Sequence, residues 1–284
     1  YKSHGDGWKL HLNEIKHGAV YLADVGMVKI RGKSRNQGGR PKTAEIIRKN
    51  GQWFISVSME YDSIERKCGT KAIGLDWGVS YYFSTIDQDG NFEQVENPRY
   101  LRNSKEQLAA LQRGLALVKK GTRSQRKLKH AIAKLHQKIA RQRLDYTHKE
   151  TAKLVEVAAL IATEKLTVKN MTRSAKGTVE KHGKNVKQKA GLNREILNTA
   201  PAMTLNLLRY KAEEAGSEFV EVSTKQVKPS QTCPDCGAKK KKSLADRWHS
   251  CECGCEKPRD VASAQVNLNW ALGIQAGNPP KRVV

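Results

Sequence analysis

Short apolar runs broken by polar residues fill the first sixty positions of the chain. The candidates are Trp8 to Leu12, Ala19 to Leu22, Met27 to Ile30, Ala44 to Arg48 and Trp53 to Tyr61. Alternation with period two marks half-buried strands, and Asn50-Gly51 between the last two runs is a two-residue hairpin turn. This region is therefore expected to be a partial β-barrel or a small sheet. Arg31 to Lys42 interrupts it with basic, glycine-rich sequence, which suits either a solvated loop or phosphate contact.

A linker near Asp62 to Gly69 changes the character of the sequence. Lys71-Ala-Ile-Gly-Leu-Asp76-Trp-Gly78-Val reads as a buried strand ending in a carboxylate and a glycine. Tyr81 to Ile86 and Asn91 to Val95 follow across the Asp89-Gly90 turn, giving a three-stranded meander. Leu108, Leu111, Leu115 and then Leu128, Ile132, Leu135, Ile139 recur at helical spacing, predicting a helical hairpin over 101–150 broken near Gly121. A helix over Thr147 to Glu156 leads into a second apolar run, Val157 to Glu164, which again ends in a carboxylate. Lys169 to Arg194 is polar, basic and without period, and is expected to be a mobile loop. A helix from Met203 to Ala215 and a strand from Phe219 to Val222 complete an α/β region.

Charge sharpens this picture. The 284 residues hold 52 Lys and Arg against 28 Asp and Glu, a formal net charge of +24. Residues 101–150 alone carry fourteen basic side chains and three acids. Such one-sided charge predicts a polyanion held by salt-sensitive phosphate contacts, so nucleic acid is the expected partner. No apolar run is long enough to span a bilayer, and no membrane partner is expected.

Five of the six cysteines lie between Cys233 and Cys255. Cys233-Pro-Asp-Cys236-Gly is a turn that aims two thiolates at one ion, and the second knuckle reads Cys251-Glu-Cys253-Gly-Cys255. Zinc is the expected occupant, held by Cys233, Cys236, Cys251 and Cys253, with Cys255 as the substitute. Gly254 after Cys253 repeats Gly237 after Cys236. Four thiolates leave no open position, so the role is structural. Disulfides are the alternative, but clustered knuckles without a secretory signal fit a reducing compartment. Cys68 reads as a lone thiol that is either buried or unremarkable. The five tryptophans Trp8, Trp53, Trp77, Trp248 and Trp270 read as packing residues.

Asp260 precedes a helical stripe of Val261, Ala264, Leu268, Ala271 and Leu272 closed by Gly273, so its simplest role is helix N-cap. Asp76 could likewise be a turn former. Yet Asp76, Glu164 and Asp260 each stand at the end of a strand or the start of a helix. Hard carboxylate oxygens hold magnesium, and a pair of such ions can cleave a phosphodiester. Arg247 and Arg259 are candidates for phosphate stabilisation beside them. Lys239 to Lys242 either touch nucleic acid or cover the ribbon.

GLDWG around Asp76, ATEKL around Glu164, SQTCPDCG at Ser230 to Gly237 and CGCEKPRDVASAQVNL at Cys253 to Leu268 resemble the TnpB (OrfB) proteins of bacterial insertion sequences, relatives of the type V CRISPR effectors. The resemblance covers nearly the whole chain. It implies an RNase H-like (RuvC) α/β nuclease domain over 69–228 and 258–284, an inserted zinc ribbon over 229–257, and a partial, wedge-like β-barrel over 1–68. It also implies an RNA-guided, magnesium-dependent DNA endonuclease with guide RNA and target DNA as partners in a prokaryotic cytoplasm, associated with the nucleoid. Its catalytic carboxylates map onto Asp76, Glu164 and Asp260.

Lys165 stands where the family has an acid after the catalytic glutamate, and Pro258 where it has the first acid of Asp-Arg-Asp. Family members also carry an N-terminal recognition lobe, which this chain is expected to lack or to receive from a partner chain. The same residues would serve a DNA strand-transferring transposase of RNase H type. A nuclease-dead, RNA-guided DNA-binding regulator is the remaining alternative, and the three retained acids stand against it.

Overall fold

In the computed structural model the described residues are 4–11, 18–32, 39–62, 68–243 and 245–274. The core of Arg31 to Lys42, most of the Asp62 to Gly69 linker and the tail after Ile274 lie outside them. The chain divides into two compact units, Tyr1–Ile64 and Glu65–Val284.

In the first unit, β1 (Trp8–His11), β2 (Gly18–Leu22) and β3 (Gly26–Ile30) form an antiparallel sheet, and β4 (Arg40–Lys49) pairs with β5 (Gln52–Glu60). Asn50 and Gly51 both take positive φ, as the hairpin turn requires. No closed barrel is present among the described residues. Alternation tells each strand which side to bury but not which neighbour closes the sheet. Trp8 and Val20 are the buried hydrophobic residues of this unit among those described, whereas Trp53 is exposed, its ring 5.5 Å from the Arg48 guanidinium carbon.

The second unit is built on one mixed sheet. β6 (Lys71–Trp77), β7 (Tyr81–Asp87) and β8 (Phe92–Glu96) make the expected antiparallel meander. Three helices follow: α1 (Tyr100–Asn103), α2 (Lys105–Leu117) and α3 (Arg123–Val157). The Thr122 hydroxyl caps α3 by accepting from the Gln125 N–H. The helix foreseen at Thr147 to Glu156 is the last part of this 35-residue helix, which passes into β9 (Ala158–Glu164) without a loop. α4 (Val168–Met171) and α5 (Val186–Thr199) come next. The expected loop over Lys169 to Arg194 is therefore corrected: irregular chain spans only its middle, and Asn193 and Lys189 tie α5 back to the Thr172 and Met171 carbonyls. α6 (Pro201–Ala215), β10 (Glu218–Val222) and α7 (Thr224–Val227) precede the ribbon strands β11 (Trp248–Ser250) and β12 (Glu256–Pro258), and α8 (Arg259–Ala271) ends the described chain.

The sheet runs β10-β9-β6-β7-β8, with β9 parallel to both β6 and β10. One face packs on α3, α5 and α6 through Leu75, Trp77, Phe83, Leu154, Ile196 and Leu208. The other face receives α8, where Val261 and Ala264 meet Ile86. The Tyr82 hydroxyl joins Thr147 on α3 and Thr204 on α6, at 2.8 and 2.6 Å, and so locks the first layer.

Asp87 ends β7 and organises the following turn. It accepts hydrogen bonds from the Asp89 and Asn91 N–H groups and from Lys71 Nζ at 2.7 Å. Burial pushes its carboxyl up, but the Lys71 and Asn91 bonds outweigh this and leave it below its ordinary value. A lowered folded value means stabilisation that is full above the unfolded pKa, about 4, and is lost as pH falls through the folded one. Asp87→Asn is therefore expected to cost about 1 kcal/mol at neutral pH, with Lys71 half exposed and partly screened. Acid titration of both melting temperatures should show the difference vanish at low pH.

Candidate functional site

β6 and β9 run parallel with Leu75 beside Thr163, so the next residues, Asp76 and Glu164, emerge side by side at the strand ends. Val222 of β10 lies level with Glu164 on the far side. The third acid arrives from α8. Pro258 caps that helix, which places Asp260 in its first turn with no side-chain cap bond. The N-cap expectation is thereby corrected. The carboxylate keeps the favourable helix dipole but points elsewhere: its Oδ2 would lie 3.9 Å from a Cβ on Gly78, next to the end of β6.

Close approach of α8 to β6 makes this possible. Asn267 Nδ2 donates to the Leu75 carbonyl at 3.0 Å, and a Cβ on Gly74 would stand 2.1 Å from the Ala264 carbonyl oxygen. Only a residue without a side chain fits there.

The electrostatics report a crowded set of acids. Burial pushes the Asp76 carboxyl well above the usual carboxylate range; the charges of Glu164 and Asp260 push it further, and Arg259 opposes them. Burial also raises Glu164. Arg259 is held by its guanidinium, which donates to the Ser243 and Asp246 carbonyls. Arg247 is exposed, and its carbonyl accepts from the Arg259 N–H. Three hard oxygen donors with one opposing cation are a donor set that suits a divalent metal. Among the described residues, the groups of ligating side chains within 4.8 Å of one another are cysteine-based, so the three acids stand wider apart than the thiols.

That tighter group lies around the β11–β12 hairpin. Cys233, Cys236, Cys251 and Cys253 place their sulfurs mutually within 4.8 Å, with Cys233 to Cys253 at 3.6 Å and Cys236 to Cys251 at 3.5 Å. Two tight turns bring them there, closed by Gly237 N–H to the Cys233 carbonyl and Gly254 N–H to the Cys251 carbonyl, both glycines at positive φ. The Cys251 thiol is held down to about 7, first by the Cys253 N–H and then by the neighbouring thiols. A thiol titrating there is readily the thiolate that a metal needs. Such a cluster can hold a structural zinc. α8 is tied to the ribbon by Asn269 Nδ2, which donates to the Pro234 carbonyl at 2.8 Å.

Other expectations change. Cys68 is exposed, as are Trp248 and Trp270; Trp8 and Trp77 alone of the five tryptophans are core. Lys242 turns inward against His249. His249 itself carried no spacing signal, because a single histidine in a three-residue strand repeats nothing.

Residues 54–175 match the family profile OrfB_IS605, described as "Probable transposase", and residues 202–267 match the "Cas12f1-like, TNB domain". A protein of Escherichia coli (strain K12), "Putative RNA-guided DNA endonuclease InsQ", is 33% identical over 249 residues. These likenesses support a member of the TnpB (OrfB) family. Against the E. coli relative the alignment covers 87% of this chain and 60% of the relative. A "Putative RNA-guided DNA endonuclease" of Streptomyces pristinaespiralis is 28% identical, over 84% of this chain and 55% of that protein. The chain thus spans little more than half the length of these relatives. Among solved structures, a CRISPR-Cas12f ternary complex matches 82% of this chain and 46% of the Cas12f chain with TM-score 0.50 and 17% identity, a likeness of the mixed α/β fold.

Proposed function

We propose that the TnpB-family chain supplies the cutting part of an RNA-guided DNA endonuclease, with guide RNA and target DNA as its partners. In this reading the mixed sheet with α8 is a RuvC-like nuclease domain of RNase H type, and the ribbon is a structural zinc insertion. The carrying observation is the approach of Asp260 to the adjacent strand-end acids Asp76 and Glu164, from segments far apart in sequence.

Asp76, Glu164 and Asp260 would hold magnesium. When bound, the metal supplies activation of water and charge stabilisation at the leaving oxygen. The chain's own residues do the rest. α8 fixes Asp260 against β6, the ribbon carbonyls aim Arg259 beside the acids, and their half-buried position weakens screening by bulk water. Cys233, Cys236, Cys251 and Cys253 would hold the zinc that keeps those carbonyls in place.

Phosphate capture falls to α3. Lys127, Lys134 and Lys138 are exposed along one side of it at helical spacing. Changing all three to Gln is expected to lower the slope of log affinity against log salt by up to about 0.9 for each phosphate that is no longer neutralised. An unchanged slope takes α3 out of the nucleic-acid surface.

The test of the reading as a whole is expression with the flanking non-coding DNA, followed by sequencing of RNA retained after a high-salt wash. One discrete RNA with a variable end, and magnesium-dependent cutting of DNA matching that end, is the expected result. Joined DNA products would instead favour the strand-transfer reading that the transposase description of the matching profile keeps in view.

A further inference from the structure

The four-thiol site leaves Cys255 and His249 unused, yet both are almost fully buried, at 4% and 2% exposure. Together with Cys233 they form a second group whose ligand atoms all lie within 4.8 Å of one another. The hairpin geometry brings them there. His249 is the middle residue of β11, opposite Lys257, and Cys255 closes the turn before β12, its carbonyl accepting from the Cys251 N–H at 3.1 Å.

His249 Nδ1 meets the Lys242 amine, while Nε2 is buried with no hydrogen-bond partner. A buried polar nitrogen without a partner is costly and calls for an explanation. Two buried sulfurs beside a lone imidazole nitrogen have the composition of a thiophilic metal site. The two groups share Cys233, so they are alternatives around one place. They also differ in access: Cys236 and Cys253 are exposed and Cys251 is half-buried, whereas the inner three are covered. Exposed thiolates are the ones that oxidants reach.

We propose that Cys255 and His249 are a reserve ligand pair, which takes up the ribbon's metal ion together with Cys233 when an outer thiol is lost. The inference rests on the zinc reading given above. On ligation through Nε2, Cys255 gives its proton to solvent, the imidazole proton moves from Nε2 to Nδ1, and the Lys242 ammonium that donated to Nδ1 turns outward.

Anaerobic titration of the full chain with Co(II) tests it, because its visible spectrum reports the ligand set. The wild type should bind one ion with a four-thiolate spectrum; failure here would sink the zinc reading itself. Cys251→Ser should still bind one ion, with its d–d bands moved to shorter wavelength as nitrogen replaces sulfur. Adding His249→Ala and Cys255→Ser to that variant should abolish the rescue. With Cys251 intact, the His249→Ala/Cys255→Ser pair should keep the wild-type spectrum but release the ion to a chelator about tenfold faster or more. Equal binding by the single and triple variants, together with equal release rates, would overturn the proposal. If Cys251→Ser does not fold, the release rates decide, since they are measured on an intact outer site.

Discussion

Asp76→Ala, Glu164→Ala and Asp260→Ala are each expected to lower DNA cleavage by about 10³-fold or more, the several kcal/mol that metal-held charge stabilisation supplies. Double variants should be little worse than singles, because residues acting as one unit lose their function together. RNA binding should hardly change, since these variants leave the basic side chains of α3 intact. A second readout separates metal binding from chemistry. Without metal, the acids repel one another and burial penalises their charge, so Asp76→Asn should melt slightly higher than the wild type. Magnesium should raise the wild-type melting temperature, by about 2.7 kcal/mol of added stability at a hundred times its dissociation constant, and should do so much less in Asp76→Asn. An equal magnesium effect on both proteins, or substantial cutting by any of the three alanine variants, would remove that residue from the site.

Much of this site could be read before the fold was known, but unevenly. Lys71 to Val79 and Val157 to Glu164 announced themselves because a run of apolar residues ending in an acid is unusual, and β6 and β9 lie within them. Their adjacency was invisible: parallel pairing of β6 with β9 joins segments separated by the whole of α3, and no local pattern encodes it. α5 was hidden for a different reason. Two of its three buried positions are Asn198 and Thr199, so the face it turns inward is largely polar and shows no apolar stripe. Asp260 looked like a cap because the apolar stripe begins right after it. Pro258 took that position instead and left the carboxylate available. The ribbon was legible from its cysteines, while His249 was not, since its role depends on the hairpin fold that buries it.

Gly74→Ala is the other change with a large expected effect, and it tests how the fold makes the site. In a strand, Gly to Ala ordinarily stabilises slightly by restricting the unfolded chain. Here the added methyl would stand 2.1 Å from the Ala264 carbonyl oxygen and 2.8 Å from Leu268 Cβ. The obstacle is backbone, so no rotamer change relieves it and α8 must move away from β6. Overpacking of this kind costs about 1–3 kcal/mol, and here the upper end is expected because the Asn267 bond to the Leu75 carbonyl breaks as well. Asp260 lies one helical turn before Ala264, so the same displacement draws it from Asp76. The folded fraction of Gly74→Ala should therefore lose both cleavage and the magnesium-dependent rise in melting temperature, although no acid has been changed. Gly114→Ala on α2 is the matched control: its methyl would meet only Leu128 side-chain atoms at 3.7 Å or more, and in a helix it should stabilise by up to about 1 kcal/mol. If Gly74→Ala melts like the wild type and still responds to magnesium, the tight seating of α8 is not what brings the third acid to the other two.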